Sequence, residues 1–224
     1  MAEPMRDLVP PISAGLLGGG LSLVVLSLAA GRWDVPVFWC YASLWPLTMI
    51  ALVSLADRDM IHRRYRRNRD RELLRKRLAA LAVALVILTI AGLDVGHGWS
   101  AWLPIWAQAL GFAGLIAAIA LILTAMRNNP FFMPDIRIQH DSGHRPISSG
   151  PYAWIRHPGY LGFMSFAVSS GLALGSFWAV LPSPLAALIL IHRIRREDRF
   201  LLQNLEGYPR YAEQVPWRLV PGVW

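Results

Sequence analysis

The chain has 224 residues, 55% hydrophobic and 16% charged, with a formal net charge of +8. Soluble domains carry about 25% charged residues, so this depletion, with the apolar residues gathered into long runs, excludes an ordinary water-soluble globule and indicates a membrane protein. The positive charge is nearly all arginine, with Lys76 the only lysine, and the loops of a polytopic protein account for it better than a nucleic-acid partner does.

The opening MAEPMRDLVPP lacks the basic start and small-residue cleavage site of a signal peptide, so the first apolar run is expected to remain as a span. The apolar runs are 12–30, 35–56, 78–95 and 104–126. Each is about 20 residues, enough to cross ~30 Å of hydrocarbon at ~1.5 Å per residue. The short links 31–34 and 96–103 pair them into helical hairpins. Cys40 lies within the second run, has no partner for an internal disulfide, and reads as a small buried hydrophobe.

The fifth apolar region, 160–192, is too long for one upright helix and too short for two full crossings. Gly171, Gly175, Pro182 and Pro184 break it, so a helix, a turn near 174–177 and a returning helix are expected. The fold class is therefore all-α, a polytopic membrane protein of about five to six transmembrane helices in three hairpins, the last kinked. Two parts are expected: 1–77, an N-terminal hairpin with a basic loop, and 78–224, a core with a C-terminal cap.

Orientation follows from arginine. The loop 57–77 carries ten basic and four acidic residues, whereas the opposite links carry only Arg32 as a basic residue. The loop is therefore expected in the cytoplasm, with both termini and the segment 127–159 on the same side. The arginine skew with abundant alanine suggests a bacterial host, hence an inner membrane.

Two polar segments hold the residues that can do chemistry. The first, 127–159, is long for a mere connection and is stiffened by Pro130, Pro134, Pro146, Pro151 and Pro158. The second, 193–224, begins as a helix that continues the last apolar arm, breaks at GYPRY and ends in a proline-rich tail. Arg193 and Glu197 share a helix face there, as a structural salt bridge or as part of a site. His140 and His144 lack the cysteine or paired-carboxylate frame of a metal centre, so none is expected.

The stretches GHRPISSGPYAWIRHPGYLG and REDRFLLQNLEGYPRYAEQVPWRLVP together resemble the isoprenylcysteine carboxyl methyltransferase family and the related phospholipid N-methyltransferases. The resemblance lies in Gly150–Tyr152, Arg156–Gly162, Glu197–Leu201 and Tyr208–Pro216, and covers roughly residues 126–224. The usual second glutamate is Asp198 here, taken as auxiliary and pointing to a neighbouring helix face.

The resemblance implies S-adenosyl-L-methionine as cofactor, bound on the cytoplasmic side between the R-H-P loop and the C-terminal segment. The implied binding set is His144, Ile147, Gly150, Pro151, Tyr152, Arg156, His157, Pro158, Tyr160, Glu197, Tyr208 and Tyr211, with Glu197 and Arg193 catalytic. In this reading Arg156 pairs with the cofactor carboxylate, His157 and Tyr160 hydrogen-bond the cofactor, and Gly159 lets it come close. A carboxylate acceptor is held by Arg193 or Arg196, while an amine or thiol passes its proton to Glu197. Trp154 either packs against the sulfonium or anchors at the interface. The acceptor is expected to be a lipophilic small molecule or lipid entering from the bilayer. The alternatives are a membrane sterol- or steroid-type reductase using NADPH, whose turn usually reads R-H-P-N-Y, and a non-enzymatic membrane module.

Overall fold

The computed structural model describes residues 9–55, 71–133, 136–139 and 143–224. Among these residues the chain forms seven α-helices and one 3-10 turn, and no strand. The helices are α1 (Val9–Ala30), α2 (Pro36–Leu55), α3 (Arg71–His97), α4 (Ile105–Asn128), α5 (Pro158–Ala173), α6 (Ser183–Asn204) and α7 (Tyr208–Gln214), with the 3-10 turn at Gly150–Ala153. The expected division after residue 77 falls inside α3, and residues 57–70 of the basic loop lie outside the described residues.

Among the described residues, four stretches are long and apolar enough to cross a membrane: Pro11–Ala30, Pro36–Leu55, Leu78–His97 and Ile105–Asn128. The third hairpin differs, as its sequence suggests. Helix α5 has 16 residues, about 24 Å at ~1.5 Å per residue, and α6 becomes densely charged beyond His192. A glycine with positive φ sits in each of the three links 31–35, 98–104 and 174–182: Gly31 (69°), Gly98 (70°) and Gly175 (74°).

Small residues let the helices approach closely, the packing mode of helices in lipid. A Cβ on Gly111 of α4 would collide with the Ala173 backbone of α5, and one on Gly162 would meet Ile122. Gly92 and Gly96 of α3 lie likewise against Leu26 and Ala30 of α1. The core joins Leu26, Phe38, Leu88, Leu115, Ala173 and Leu174, so the first three helices and the α4–α5 pair share one interior. Many other large apolar side chains face outward, as Leu17, Val86, Leu110 and Leu188 do, which suits a lipid surround. Cys40 is exposed on this outer surface rather than buried as expected, because α2 turns that face away from the core. Exposed tryptophans, including Trp33, Trp102, Trp106 and Trp178, gather at one end of the bundle. Trp154 and Trp217 mark the other, the arrangement of interfacial belts.

Candidate functional site

The site is built where α4 ends, α5 begins and α6 leaves the apolar region. Asn129 terminates α4 through its N–H to Ala125 O (3.1 Å), accepts the Phe131 N–H (2.9 Å) and donates to the Tyr152 hydroxyl (3.2 Å). The chain then returns through the 3-10 turn, entered by Gly150 at φ 58° with the Asn128 side chain where its Cβ would be. Pro158 opens α5, where its missing N–H and fixed φ suit the first helical turn.

The C-terminal segment closes over this loop. The N–H groups of Arg156 and His157 donate to Trp217 O and Arg218 O, each at 2.9 Å, and the Tyr211 hydroxyl donates to Tyr152 O at 2.8 Å. Arg156 Nη1 reaches Ala212 O, Val215 O and Pro216 O at 3.2, 2.8 and 3.1 Å, satisfying carbonyls around the end of α7.

Asp198 ties these parts together. It is 1% exposed and receives Arg156 bidentately, Nε to Oδ1 and Nη2 to Oδ2, both at 3.0 Å. Arg218 Nε donates at 2.8 Å, the Tyr208 hydroxyl at 2.8 Å, and His157 Nε2 lies 3.4 Å away. Burial alone would raise this carboxyl's pKa; the hydrogen bonds from His157, Arg156 and Tyr208 outweigh it and hold the group well below the usual carboxylate range. Burial, then the Asp198 charge, pushes the Tyr208 phenol up, so it stays a proton donor.

Beside this knot lies a cavity of about 250 Å³. Tyr160 and Phe163 reach it from α5, Leu190, Arg193, Glu197 and Leu201 from α6, and Leu205 from the residue just past α6. Helix α5 runs from its proline start into the apolar region, and α6 runs out of it. Phe163 and Leu190 therefore form the membrane-directed floor, while Leu205, Tyr208 and Tyr211 close the outer end. Near the floor the Tyr160 hydroxyl donates to Glu197 Oε2 at 2.6 Å and accepts Arg193 Nε at 2.6 Å. The Arg193 guanidinium also lies 5.7 Å from the Tyr160 ring centre. At the loop side His144 packs on Phe131, ring centres 4.5 Å apart, and its Nδ1 accepts the Gln139 N–H at 3.3 Å. His140 lies outside the described residues.

Of the residues named from sequence, His144, Ile147, Tyr152, Arg156, His157, Tyr160, Arg193, Glu197, Tyr208 and Tyr211 share this one cavity. Gly150, Pro151 and Pro158 do not line it; they set the backbone path behind it. Arg156 cannot serve as a free clamp for a cofactor carboxylate, because every one of its guanidinium nitrogens is already bonded to Asp198 or the α7 carbonyls. Asp198 is no auxiliary carboxylate turned elsewhere but the buried centre of that network. The space a Cβ would take at Gly159 is filled by the Phe132 ring, so this glycine accommodates a neighbouring side chain. Arg196 is exposed and off the cavity, and Trp154 is 74% exposed, which leaves the interfacial alternative for it. Phe131, Phe132, Arg137, Phe163 and Leu190 were not foreseen as cavity residues, and no spacing in the sequence marks them.

Residues 109–203 match the model of the isoprenylcysteine carboxyl methyltransferase (ICMT) family. This stretch of the chain is similar to that family. The matched region holds α4, the R-H-P loop, α5 and most of α6, whereas α7 and the tail that close the site lie beyond it. A protein-S-isoprenylcysteine O-methyltransferase of Schizosaccharomyces pombe is 31% identical over 83 residues, 35% of this chain and 34% of that protein. A Delta(14)-sterol reductase of Methylotuvimicrobium alcaliphilum is 28% identical over 142 residues, 54% of this chain and 32% of that protein. The matches thus span about a third of these relatives' own length. The solved structure of the eukaryotic intramembrane Ras methyltransferase ICMT aligns with a TM-score of 0.55 at 19% identity, covering 92% of this chain and 74% of that one. The shared architecture is that of an integral membrane protein.

Proposed function

We propose that this protein is a membrane-embedded methyltransferase that uses S-adenosyl-L-methionine and methylates the carboxylate of an acceptor with a long apolar tail. The observation that carries the reading is the Arg193–Tyr160–Glu197 chain, set above the apolar floor of Phe163 and Leu190. A cationic group thus lies where an acceptor head would end when its tail remains in the bilayer. The Schizosaccharomyces pombe relative, a protein-S-isoprenylcysteine O-methyltransferase, supports a carboxylate and favours a prenylated polypeptide over a free small molecule.

The cavity suits the donor. It offers the Phe131–His144 pair, its rings tilted by 31°, for a purine, and the Tyr208 and Tyr211 rings beside it. When bound, S-adenosyl-L-methionine supplies an electrophilic methyl group on a sulfonium. The protein's part is then alignment and exclusion of water. Tyr160 fixes the Arg193 guanidinium by holding its Nε, and Arg193 in turn holds the acceptor carboxylate in line. Glu197 anchors the Tyr160 hydroxyl. An ionised carboxylate needs no general base, so Glu197 acts by position here; with an amine or thiol acceptor it would take the proton. The site and both termini face the cytoplasm in this reading, supported by the arginine asymmetry, and the arginine-rich composition suits a bacterial inner membrane.

The experiment is methyl transfer in nanodiscs from isotope-labelled donor to an S-isoprenylated cysteine derivative, compared with its carboxamide. Labelling of the free carboxylate alone is expected; labelling of neither, with the donor unbound, would overturn the reading. The sterol reductase relative carries a second reading, an NADPH-dependent membrane reductase. Against it, the turn reads R-H-P-G-Y followed by Leu161, Gly162 and Phe163, without the asparagine or the acidic residue that turn usually carries. Binding of NADPH instead of S-adenosylmethionine to the purified protein would decide for the reductase.

A further inference from the structure

The tail that follows α7 folds back on itself at Trp224, outside the region matched by the family. Gly222 turns the chain at φ 79°, and the Trp224 main-chain oxygen then accepts three successive N–H groups, those of Arg218, Leu219 and Val220, at 3.0, 2.9 and 3.2 Å. The indole meets two guanidinium groups, Arg218 at 5.3 Å and Arg195 of α6 at 5.6 Å from the ring centre, within the ~6 Å reach of cation–π attraction. Arg218 is the residue by which the tail reaches the site. Its carbonyl accepts the His157 N–H at 2.9 Å, and its Nε donates to Asp198 Oδ2 at 2.8 Å. Its side chain is 32% exposed, so water competes for it, whereas Arg156 on the same carboxylate is buried.

We propose that Trp224 is a positioning residue of the site, which holds Arg218 on Asp198 and on the His157 backbone and so keeps the R-H-P loop closed under the tail. Trp224 restrains Arg218 at two points, the N–H through its own oxygen and the guanidinium through its ring. Arg195 pins the same ring to α6, the helix that carries Arg193, Glu197 and Asp198. Trp224 does not line the cavity, so it acts only through Arg218. His157 does line it and immediately precedes α5, so a loosened Arg218 carbonyl releases a cavity wall. The effect on ligand binding rests on the donor reading above; the effect on the loop does not.

The test is two measurements on the full chain in nanodiscs: amide hydrogen exchange in peptides that span His157, and calorimetric binding of S-adenosylhomocysteine. Trp224→Leu is expected to speed exchange at His157 at least about fivefold and to weaken S-adenosylhomocysteine at least about threefold. Trp224→Phe, which keeps an aromatic face, should stay within about twofold of wild type in both. Arg195→Gln, a change at an exposed residue that leaves Arg218 untouched, should give intermediate values, and it carries the test if the leucine variant does not fold. Because Arg195 acts only through the ring, adding Arg195→Gln to Trp224→Leu should cost nothing further. Unchanged exchange at His157, unchanged affinity beside faster exchange, a phenylalanine variant as impaired as the leucine one, or additive losses in the double variant would each overturn the assignment while leaving the donor reading in place. Failure of the wild-type protein to bind S-adenosylhomocysteine would remove the donor reading, and exchange at His157 would then decide the assignment alone.

Discussion

Replacing Asp198 with asparagine changes one atom at a site that accepts hydrogen bonds on both oxygens. If the amide nitrogen takes the Oδ2 position, it faces Arg156 Nη2 and Arg218 Nε; if it takes the Oδ1 position, it faces Arg156 Nε and the Tyr208 hydroxyl. Either way an amide donor opposes a guanidinium donor, and Arg156, itself 7% exposed, loses its counter-charge. Removing one partner of a buried ion pair costs roughly 3–5 kcal/mol. At roughly 2–4 °C per kcal/mol for a chain of this size, melting in nanodiscs should fall by roughly 6–20 °C. Donor affinity should fall with it, because His157, Tyr208 and Arg156 line the cavity while touching this carboxylate. Asp198→Glu keeps the charge and adds one methylene, so its cost should be the smaller overpacking cost of about 1–3 kcal/mol. Melting of Asp198→Asn within about 2 °C of wild type, with donor affinity unchanged, would refute the network as the organiser of the site.

The same carboxylate has a pH signature. Its folded pKa is lowered, so its contribution to stability is complete above the unfolded value of about 3.9 and is lost as pH falls through the folded value. The melting advantage of wild type over Asp198→Asn should therefore be constant from pH 7 to 5 and shrink below about pH 4. Glu197→Gln, by contrast, should lower kcat by roughly 10²-fold with donor affinity near wild type; turnover within about threefold of wild type would reduce the Glu197–Tyr160–Arg193 chain to a structural contact. For topology, single cysteines at residues 66 and 98 in a Cys40→Ala background should react from outside sealed cells at 98 and not at 66, and the reverse pattern would invert the orientation.

The helices were legible because lipid demands long apolar runs, and glycine and proline interrupt them visibly. The turn between α5 and α6 could be placed from Gly171, Gly175, Pro182 and Pro184, since 33 apolar residues in one helix would overshoot the bilayer. The site was legible as two polar segments but not in its wiring. Arg156 and Asp198 are 42 residues apart, and Arg156 and the Val215 carbonyl are 59 apart, so no helical or strand period relates them. An arginine beside a motif histidine was read as reaching for a ligand, whereas it closes the end of α7. Arg137 gave no signal because it sits in a short irregular stretch whose meaning comes only from the cap packed against Ile138.

The two buried aspartates explain how a short, marginal helix can carry a precise site. Before α5 begins, the backbone N–H of His157 is bonded to Arg218 O and its imidazole lies against Asp198. Just past its other end, the Ser176 hydroxyl donates to Asp94 of α3 at 2.5 Å, and Asp94 also receives the Ser100 N–H and hydroxyl, each at 2.7 Å. Asp94 is fully buried and met by neutral donors, whereas Asp198 is met chiefly by cations. Between these ends Gly162 and Gly171 allow α5 to sit directly on α4 and on the turn that follows. Tyr160, in the first turn of α5, is therefore held lengthwise by both aspartates and sideways by α4. Its hydroxyl can then fix Arg193 and Glu197 without a rigid scaffold of its own, which is what the proposed in-line transfer to a tethered carboxylate would require of the protein.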